Sequence, residues 1–104
     1  MYTVVYEVYR KDGLSQEEMV AYWLGTHRPI AMRMPNLRGY EIWPVKESEG
    51  VEGTEVSGFV ILRFDSEEDF HRTHDSPEFA ATAEDARNFL RHFTRYAVDT
   101  YEAV

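Results

Sequence analysis

The chain has 104 residues, enough to build one hydrophobic core, and its 43% apolar and 14% aromatic residues favour a folded domain over a disordered one. A formal net charge of -8 would repel phosphate backbones and anionic lipids, so we expect neither a nucleic-acid nor a membrane partner. The absence of cysteine excludes disulfide scaffolds, thiolate metal sites and cysteine nucleophiles. With no membrane-length apolar run and no signal-peptide pattern, we expect a cytoplasmic protein.

The first predicted element is a strand over residues 2–10, where aromatic and β-branched residues alternate in "YTVVYEVYR". Large apolar side chains fall on both faces of this strand, which predicts that both faces are covered. The following "KDG" ends the strand.

A helix is predicted next, over about residues 15–26. Ser15 and Glu18 form a capping box, in which each side chain binds a free backbone N–H at the helix start. Five residues then recur at helical spacing on one face: Met19, Val20, Trp23, Leu24 and His27. Pro29 disfavours the helical conformation of the residue before it, so we expect a kink or stop there and one more turn over residues 30–34.

Three further strands are predicted by alternation and by a strongly apolar run. They cover residues 37–45, 57–64 and 94–104. Residues 46–55 are charged, contain glycine and show no periodicity, which predicts an exposed loop between the first two of these strands.

Two serines mark helix starts in the second half of the chain. Ser66 can cap a helix, and Ser76 is followed by Pro77, a residue favoured at the first helical position. The later helix is predicted to carry four residues on one face: Phe79, Ala83, Ala86 and Leu90. We place His92 in the connection to the last strand.

The resulting order is strand, helix, strand, strand, helix, strand. It predicts an α+β, ferredoxin-like βαββαβ fold, with a four-stranded antiparallel sheet, two helices on one face, and a single domain over residues 1–104. The helices can cover one sheet face only, so a homodimer joined through its sheet faces is the simplest way to cover the other. That other face is expected to hold some of five aromatic residues: Tyr6, Tyr40, Trp43, Phe59 and Tyr96.

The stretch "GLSQEEMVAYWLGTHRPIAMRMPNLRGY" resembles the opening signature of the EthD-like family: G-L-S, an acidic pair, Y-W, H-x-P, P-x-L and a tyrosine. In the second half, "DSPEF" and the spaced Asp85, Asn88 and Phe89 also resemble that family. The resemblance covers most of the chain and leaves out residues 46–56.

This resemblance implies a dimeric α/β barrel with a pocket between sheet and helices in each subunit. It also implies a polar pair in that pocket at the positions of His27 and Tyr40. Members and close relatives include isomerases of muconolactone type and fungal polyketide decarboxylases or dehydratases. Some relatives place a cysteine in the pocket, and this chain has none, which excludes a thiol mechanism here.

His27 is the first candidate for a catalytic residue. A histidine at a helix C-terminus stabilises the helix by about 0.3–1 kcal/mol, so a purely structural role stays open. However, its helical stripe, shared with Trp23, points inward, where the ring would need a partner. A buried neutral imidazole suits proton abstraction from a carbon next to a carbonyl.

Tyr40 is the second catalytic candidate, because a phenol can donate a hydrogen bond to an oxyanion, although a half-buried strand tyrosine is the alternative. Four further residues are candidate substrate-binding residues: Tyr6, Trp23, Trp43 and Arg63. The aromatic ones could equally belong to the core. Arg63 either reaches the sheet edge, the favoured interpretation, or binds a carboxylate inside.

No metal and no cofactor are expected. His71 and His74 are three residues apart and could join Asp75 in a facial triad, but the segment is charged and no other histidine cluster supports it. The glycines form no phosphate-binding pattern.

Two functions from different classes fit these residues. The first is a cofactor-independent enzyme of isomerase or lyase type that transfers a proton on a small, apolar, carbonyl-bearing ring compound, such as a lactone or an aromatic polyketide. The second is a non-catalytic small-molecule-binding or accessory homodimer of a catabolic pathway. Oxygenation without a cofactor is a third, less favoured candidate.

Overall fold

The structure is a computed structural model that describes residues 1–50 and 56–104. Residues 51–55 of the predicted loop lie outside the described residues, and residues 46–50 belong to no helix or strand. The described strands are β1 (Tyr2–Arg10), β2 (Gly39–Pro44), β3 (Gly58–Phe64) and β4 (Leu90–Val98). The described helices are α1 (Gln16–Tyr22), α2 (Arg28–Ala31), α3 (Glu67–His74) and α4 (Pro77–Ala86), with a π-helical turn (Trp23–His27) between α1 and α2.

The described strands form a four-stranded antiparallel sheet in the order β2-β3-β1-β4. With helices between β1 and β2 and between β3 and β4, this is the predicted ferredoxin-like arrangement. Core residues from strands and helices meet between the two layers, among them Val4, Ala31, Leu62 and Phe70. Within residues 1–50 and 56–104, no helix has the length and apolar character needed to cross a membrane. The cytoplasmic location stays a prediction.

The predicted helix starts are confirmed by their capping hydrogen bonds. The Ser15 hydroxyl accepts from the Glu18 N–H, and the Glu18 carboxylate accepts from the Ser15 N–H. The hydroxyls of Ser66 and Ser76 each accept from the N–H three residues later. Pro77 stands in the first turn of α4, where its missing N–H leaves no helical bond unmade.

The helix does not stop at Pro29, because the helical backbone continues through this residue. Arg28 has α-helical angles, φ -53° and ψ -47°, although a following proline disfavours them. The Arg28 N–H donates to the Trp23 carbonyl five residues back, which makes the turn before the proline π-helical. A proline ring crowds the carbonyl four residues before it in a regular α-helix, and the π-helical turn replaces the i→i−4 hydrogen bonds at this point. His27 is the last residue of the π-helical turn.

The last strand differs from the prediction at both ends. It runs from Leu90 to Val98 instead of over residues 94–104, because pairing with β1 extends as far as Arg10 opposite Leu90. Leu90 and His92 are therefore strand residues, and their placement in a helix face and a connection is wrong. A strand's extent depends on its partner strand, which the local pattern does not report.

The aromatic residues considered for the uncovered sheet face divide between the two faces. Tyr6 and Tyr40 pack against the core beneath the helices, so they are not among the aromatic residues of the uncovered face. Trp43, Phe59 and Tyr96 lie on the outer face. Successive residues of a strand point to opposite faces, and each of these three is next to a residue that faces the helices. Trp43 is 50% exposed and Tyr96 is 46% exposed.

Candidate active site

A cavity of about 390 Å³ lies between the sheet and the helices, within the usual size range of small-molecule sites. Its sheet side is lined by Tyr6, Val8, Tyr40, Val60, Leu62, Leu90, Phe93 and Arg95. Its helix side is lined by His27, Ala31, Met34, His74, Phe79, Thr82, Ala83 and Ala86. Three predicted site residues therefore meet at one largely apolar cavity: His27, Tyr40 and Tyr6.

His27 is held by a carboxylate from the other end of the chain. Its Nδ1 lies 2.8 Å from Oδ2 of Asp85, the next-to-last residue of α4. The ring also lies against Phe89, with 4.7 Å between the ring centroids. His27 is 7% exposed, and its second nitrogen, Nε2, has no partner among the described residues. That nitrogen is free to act on a molecule in the cavity.

Asp85 is itself positioned by two neutral donors. The Tyr22 hydroxyl donates to Asp85 Oδ1 at 2.7 Å, and Asn88 Nδ2 donates to the same oxygen at 3.1 Å. Asn88 Nδ2 also donates to the Tyr22 hydroxyl oxygen at 3.1 Å. Burial alone would raise the pKa of Asp85, but hydrogen bonds from Tyr22, His27 and Asn88 together lower it.

The charge state of Asp85 decides the tautomer of His27. An ionised carboxylate can only accept, so His27 Nδ1 carries the hydrogen and Nε2 carries the lone pair. Burial lowers the pKa of His27 below 6.5, and the hydrogen bond and charge of Asp85 oppose that shift. The imidazole is therefore a neutral base at neutral pH, with its lone pair on the unpartnered nitrogen.

Tyr40 supplies a phenol to the same cavity from β2. Burial raises the pKa of Tyr40 to about 12, and the nearby Arg28 cation offsets part of this shift. The hydroxyl thus keeps its proton at neutral pH, as a hydrogen-bond donor to an oxyanion must.

Tyr6 brings a second phenol, from β1. Its hydroxyl oxygen is buried and has no hydrogen-bond partner within residues 1–50 and 56–104. Burial raises the pKa of Tyr6, and the charge and close approach of the Arg95 guanidinium oppose the shift. A buried hydroxyl without a partner is rare in native proteins, and this one is available to bind a polar group in the cavity.

The model of the EthD domain matches residues 11–92, a range that contains both His27 and Asp85. The chain belongs to the EthD family. The resemblance drawn from the sequence is thereby confirmed. A search of curated proteins found no match to this chain.

Solved structures share the fold of this EthD domain. A family protein from Bacillus halodurans matches with a TM-score of 0.79 at 18% identity, over 97% of this chain and 100% of that one. SnoaB, a cofactor-independent oxygenase from Streptomyces nogalater, matches with a TM-score of 0.67 at 14% identity, over 99% of this chain and 95% of that one. A dimeric ferredoxin-like protein of unknown function from Bacteroides fragilis matches with a TM-score of 0.67 at 12% identity, over 95% of each chain. At such identities these matches show the fold alone.

Three of the predicted substrate-binding residues do not line the cavity of the EthD domain. Trp23 is 1% exposed and packs in the core, so tightly that a Cβ on Gly58 would lie 2.7 Å from its ring. Trp43 is on the outer face and donates from Nε1 to Glu41. Arg63 pairs with Glu41 on that same face, so its guanidinium does not line the cavity.

Sequence reasoning missed Asp85 and Arg95 as site residues. Asp85 and Asn88 entered only as parts of the family resemblance, although a buried histidine requires a partner and an acidic helix end could supply one. Arg95 belongs to the strand that was predicted to begin at residue 94. The alternation of residues along that strand does not say which of its two faces meets the helices, so Arg95 could not be assigned to the cavity.

The two histidines of α3 point to different surroundings. His71 pairs with Glu67 on the surface at 3.2 Å, while the His74 ring lies 4.6 Å from the Phe79 ring at the cavity. Among residues 1–50 and 56–104, no three His, Cys, Asp or Glu residues are grouped so as to hold a metal ion.

Proposed function

We propose that this EthD-family chain is a cofactor-independent enzyme of isomerase or lyase type that transfers a proton on a small, apolar ring compound carrying a carbonyl group, such as a lactone or an aromatic polyketide. The observation that carries the proposal is the 2.8 Å contact between His27 Nδ1 and Asp85 Oδ2, with Nε2 unpartnered at an apolar cavity. A base of fixed tautomer in a pocket that excludes water needs few other groups.

In the proposed step, His27 Nε2 removes a proton from the carbon next to the substrate carbonyl. The C–H electron pair forms a carbon–carbon double bond, and negative charge develops on the carbonyl oxygen. Tyr40 donates a hydrogen bond to that oxygen. Return of the proton to another carbon completes an isomerisation, and departure of a leaving group completes an elimination.

The test is proton NMR of lactones and hydroxylated aromatic ketones in deuterated buffer. The wild-type protein should exchange an acidic C–H, and His27→Gln should slow that exchange by roughly 10²- to 10⁴-fold. His71→Gln is the matched control, because His71 lies on the surface of α3 and should leave the rate unchanged.

Two other outcomes of this experiment would favour the non-catalytic binding protein or the cofactor-independent oxygenase. Line broadening of a compound without exchange would establish the non-catalytic binding protein and return His27 to a structural role. Turnover that requires molecular oxygen would favour a cofactor-independent oxygenase, the activity that SnoaB has on the same fold.

We further propose a homodimer joined through the outer sheet faces. Half-exposed Trp43 and Tyr96 on that face support it, as do the dimeric ferredoxin-like proteins of Bacteroides fragilis and Thermobifida fusca. Size-exclusion chromatography with light scattering should give twice the 12.2 kDa mass of the chain. A monomer at micromolar concentration would contradict the dimer.

A further inference from the structure

Arg95 brings a cation to the wall of the cavity. It stands in register opposite Tyr6, on the neighbouring strand and on the helix-facing side. Its guanidinium carbon lies 5.2 Å from the centre of the Phe70 ring, a residue of α3 that is 2% exposed. Arg95 as a residue is exposed on β4, and the cation–π contact with Phe70 holds its guanidinium beside the cavity.

Arg95 has no carboxylate partner in the described part of the chain. Arg38, Arg63 and Arg72 each form an ion pair with an Asp or Glu, whereas Arg95 forms none with a described residue. Beside it, the Tyr6 hydroxyl is buried and also lacks a partner. The guanidinium and the phenol thus lie side by side at the cavity without a carboxylate among the described residues, in a chain whose net charge is -8.

We infer that Arg95 and Tyr6 bind a carboxylate of the substrate, which makes the ring compound an organic acid. A planar carboxylate matches the paired N–H groups of a guanidinium, and its second lone pair can accept from the Tyr6 hydroxyl. The aliphatic and aromatic walls would contact the rest of the ring. The inference rests on the proposed function, since it places the acid in the cavity that His27 lines.

The experiment compares two probes of equal size, 1-naphthoate and 1-naphthamide, by isothermal titration calorimetry. The wild-type protein should bind the naphthoate about 10- to 100-fold more tightly than the amide, as expected for a charge-assisted pair of hydrogen bonds. Arg95→Gln should remove this preference and leave the amide affinity unchanged. Arg63→Gln is the matched control on the outer face and should keep the preference.

A smaller loss is expected for Tyr6→Phe, which removes one hydrogen bond and keeps the ring. Arg95→Lys should retain part of the preference, because a lysine keeps the charge but not the paired geometry. These two variants keep the test decisive if Arg95→Gln does not fold. Equal affinities for the two probes in the wild-type protein, an unchanged preference in Arg95→Gln, or no naphthoate binding at millimolar concentration would each overturn the inference.

The inference and the proposed function fail in different ways. His27→Gln should lose C–H exchange while keeping the preference for naphthoate, because His27 takes no part in holding the carboxylate. A wild-type protein that prefers naphthoate but exchanges no C–H would refute catalysis and retain the acid site. A protein that exchanges the C–H of neutral lactones but shows no preference would refute the acid site alone.

Discussion

The two faces of the sheet carry similar residue types, and the helix-facing one builds the candidate site. There, Tyr40 and Arg95 line the cavity, and Arg95 has no carboxylate partner among the described residues. On the outer face, Arg63 pairs with Glu41, and Tyr96 is nearly half exposed. Alternate residues of a strand face opposite ways, so a difference of one position separates a site residue from a surface residue.

This difference shows that residue type alone does not identify a site on this sheet. A tyrosine or an arginine on the helix-facing side acquires its surroundings from what the helices place above it, namely the His27–Asp85 pair and largely apolar walls. On the outer side, the same side chains are partly exposed in the single chain and lie opposite no described helix. The comparison can be tested with pairs of substitutions, one on each face.

The largest expected effect is that of Asp85→Asn. Asparagine can donate to His27 Nδ1 and so favour the wrong tautomer, with the lone pair turned away from the substrate. We expect kcat/KM for C–H exchange to fall by roughly 10²- to 10⁴-fold with little change in substrate binding. Glu41→Gln, the matched change on the outer face, should leave kcat/KM unaltered. Equal losses in both variants would contradict the assigned role of Asp85.

The second comparison concerns stability and uses the two tryptophans. Trp23→Ala removes a ring that is 1% exposed and should lower the free energy of unfolding by about 3–5 kcal/mol. Trp43→Ala removes a ring that is 50% exposed in the single chain and should lower the free energy of unfolding of the monomer by less than about 1 kcal/mol. Urea unfolding followed by circular dichroism checks both variants, at a protein concentration low enough for the chain to be monomeric, because loss of a dimer contact at Trp43 would add to the effect. Similar losses would refute the difference between core and outer face.

The third comparison removes one hydroxyl from each face. Tyr40→Phe should lower kcat by roughly 10²- to 10³-fold if its phenol stabilises the developing oxyanion, while KM stays near the wild-type value. Tyr96→Phe should have no effect on kcat. Steady-state kinetics on the substrate found by NMR provides the measurement, and an unaffected Tyr40→Phe would leave Tyr40 as part of the cavity wall only.

The smallest expected effect is a shift in the pH dependence of kcat/KM. Protonated His27 cannot accept a proton, and burial lowers the pKa of His27 below 6.5, so activity should fall on the acidic side of that value. Because Asp85 raises the pKa of His27, Asp85→Asn should move the acid limb of its residual activity to lower pH. Glu41→Gln should not move it. A limb above pH 6.5 would contradict a desolvated His27 as the base.

Much of the fold was predictable because its signals are local. The capping serines at positions 15, 66 and 76 and the alternation of β1 and β3 report on neighbouring residues, which a sequence pattern contains. The start of β4 and the passage through Pro29 were not predictable in this way. The first depends on pairing with β1, and the second depends on a hydrogen bond that skips to the fifth residue back.

The candidate site was predictable only in part. His27 and Tyr40 could be chosen from residue type, helical phase and family resemblance. Asp85, which is 58 residues from His27, could not be chosen from any local pattern. The sequence also could not decide whether Arg63 or Arg95 faces the cavity. Alternation along a strand shows that the strand has two faces, but it does not show which face the helices cover.

The sequence by itself determined the starts of the helices, the order of helices and strands that leads to the ferredoxin-like fold, and the presence of a histidine on an inward helical stripe. The tertiary structure decided that this histidine meets Asp85, that Tyr6, Tyr40 and Arg95 share its cavity, and that Trp43 and Arg63 do not. The physical reason is that periodicity and capping act between residues a few positions apart, whereas a site is made by contacts between elements that only packing brings together.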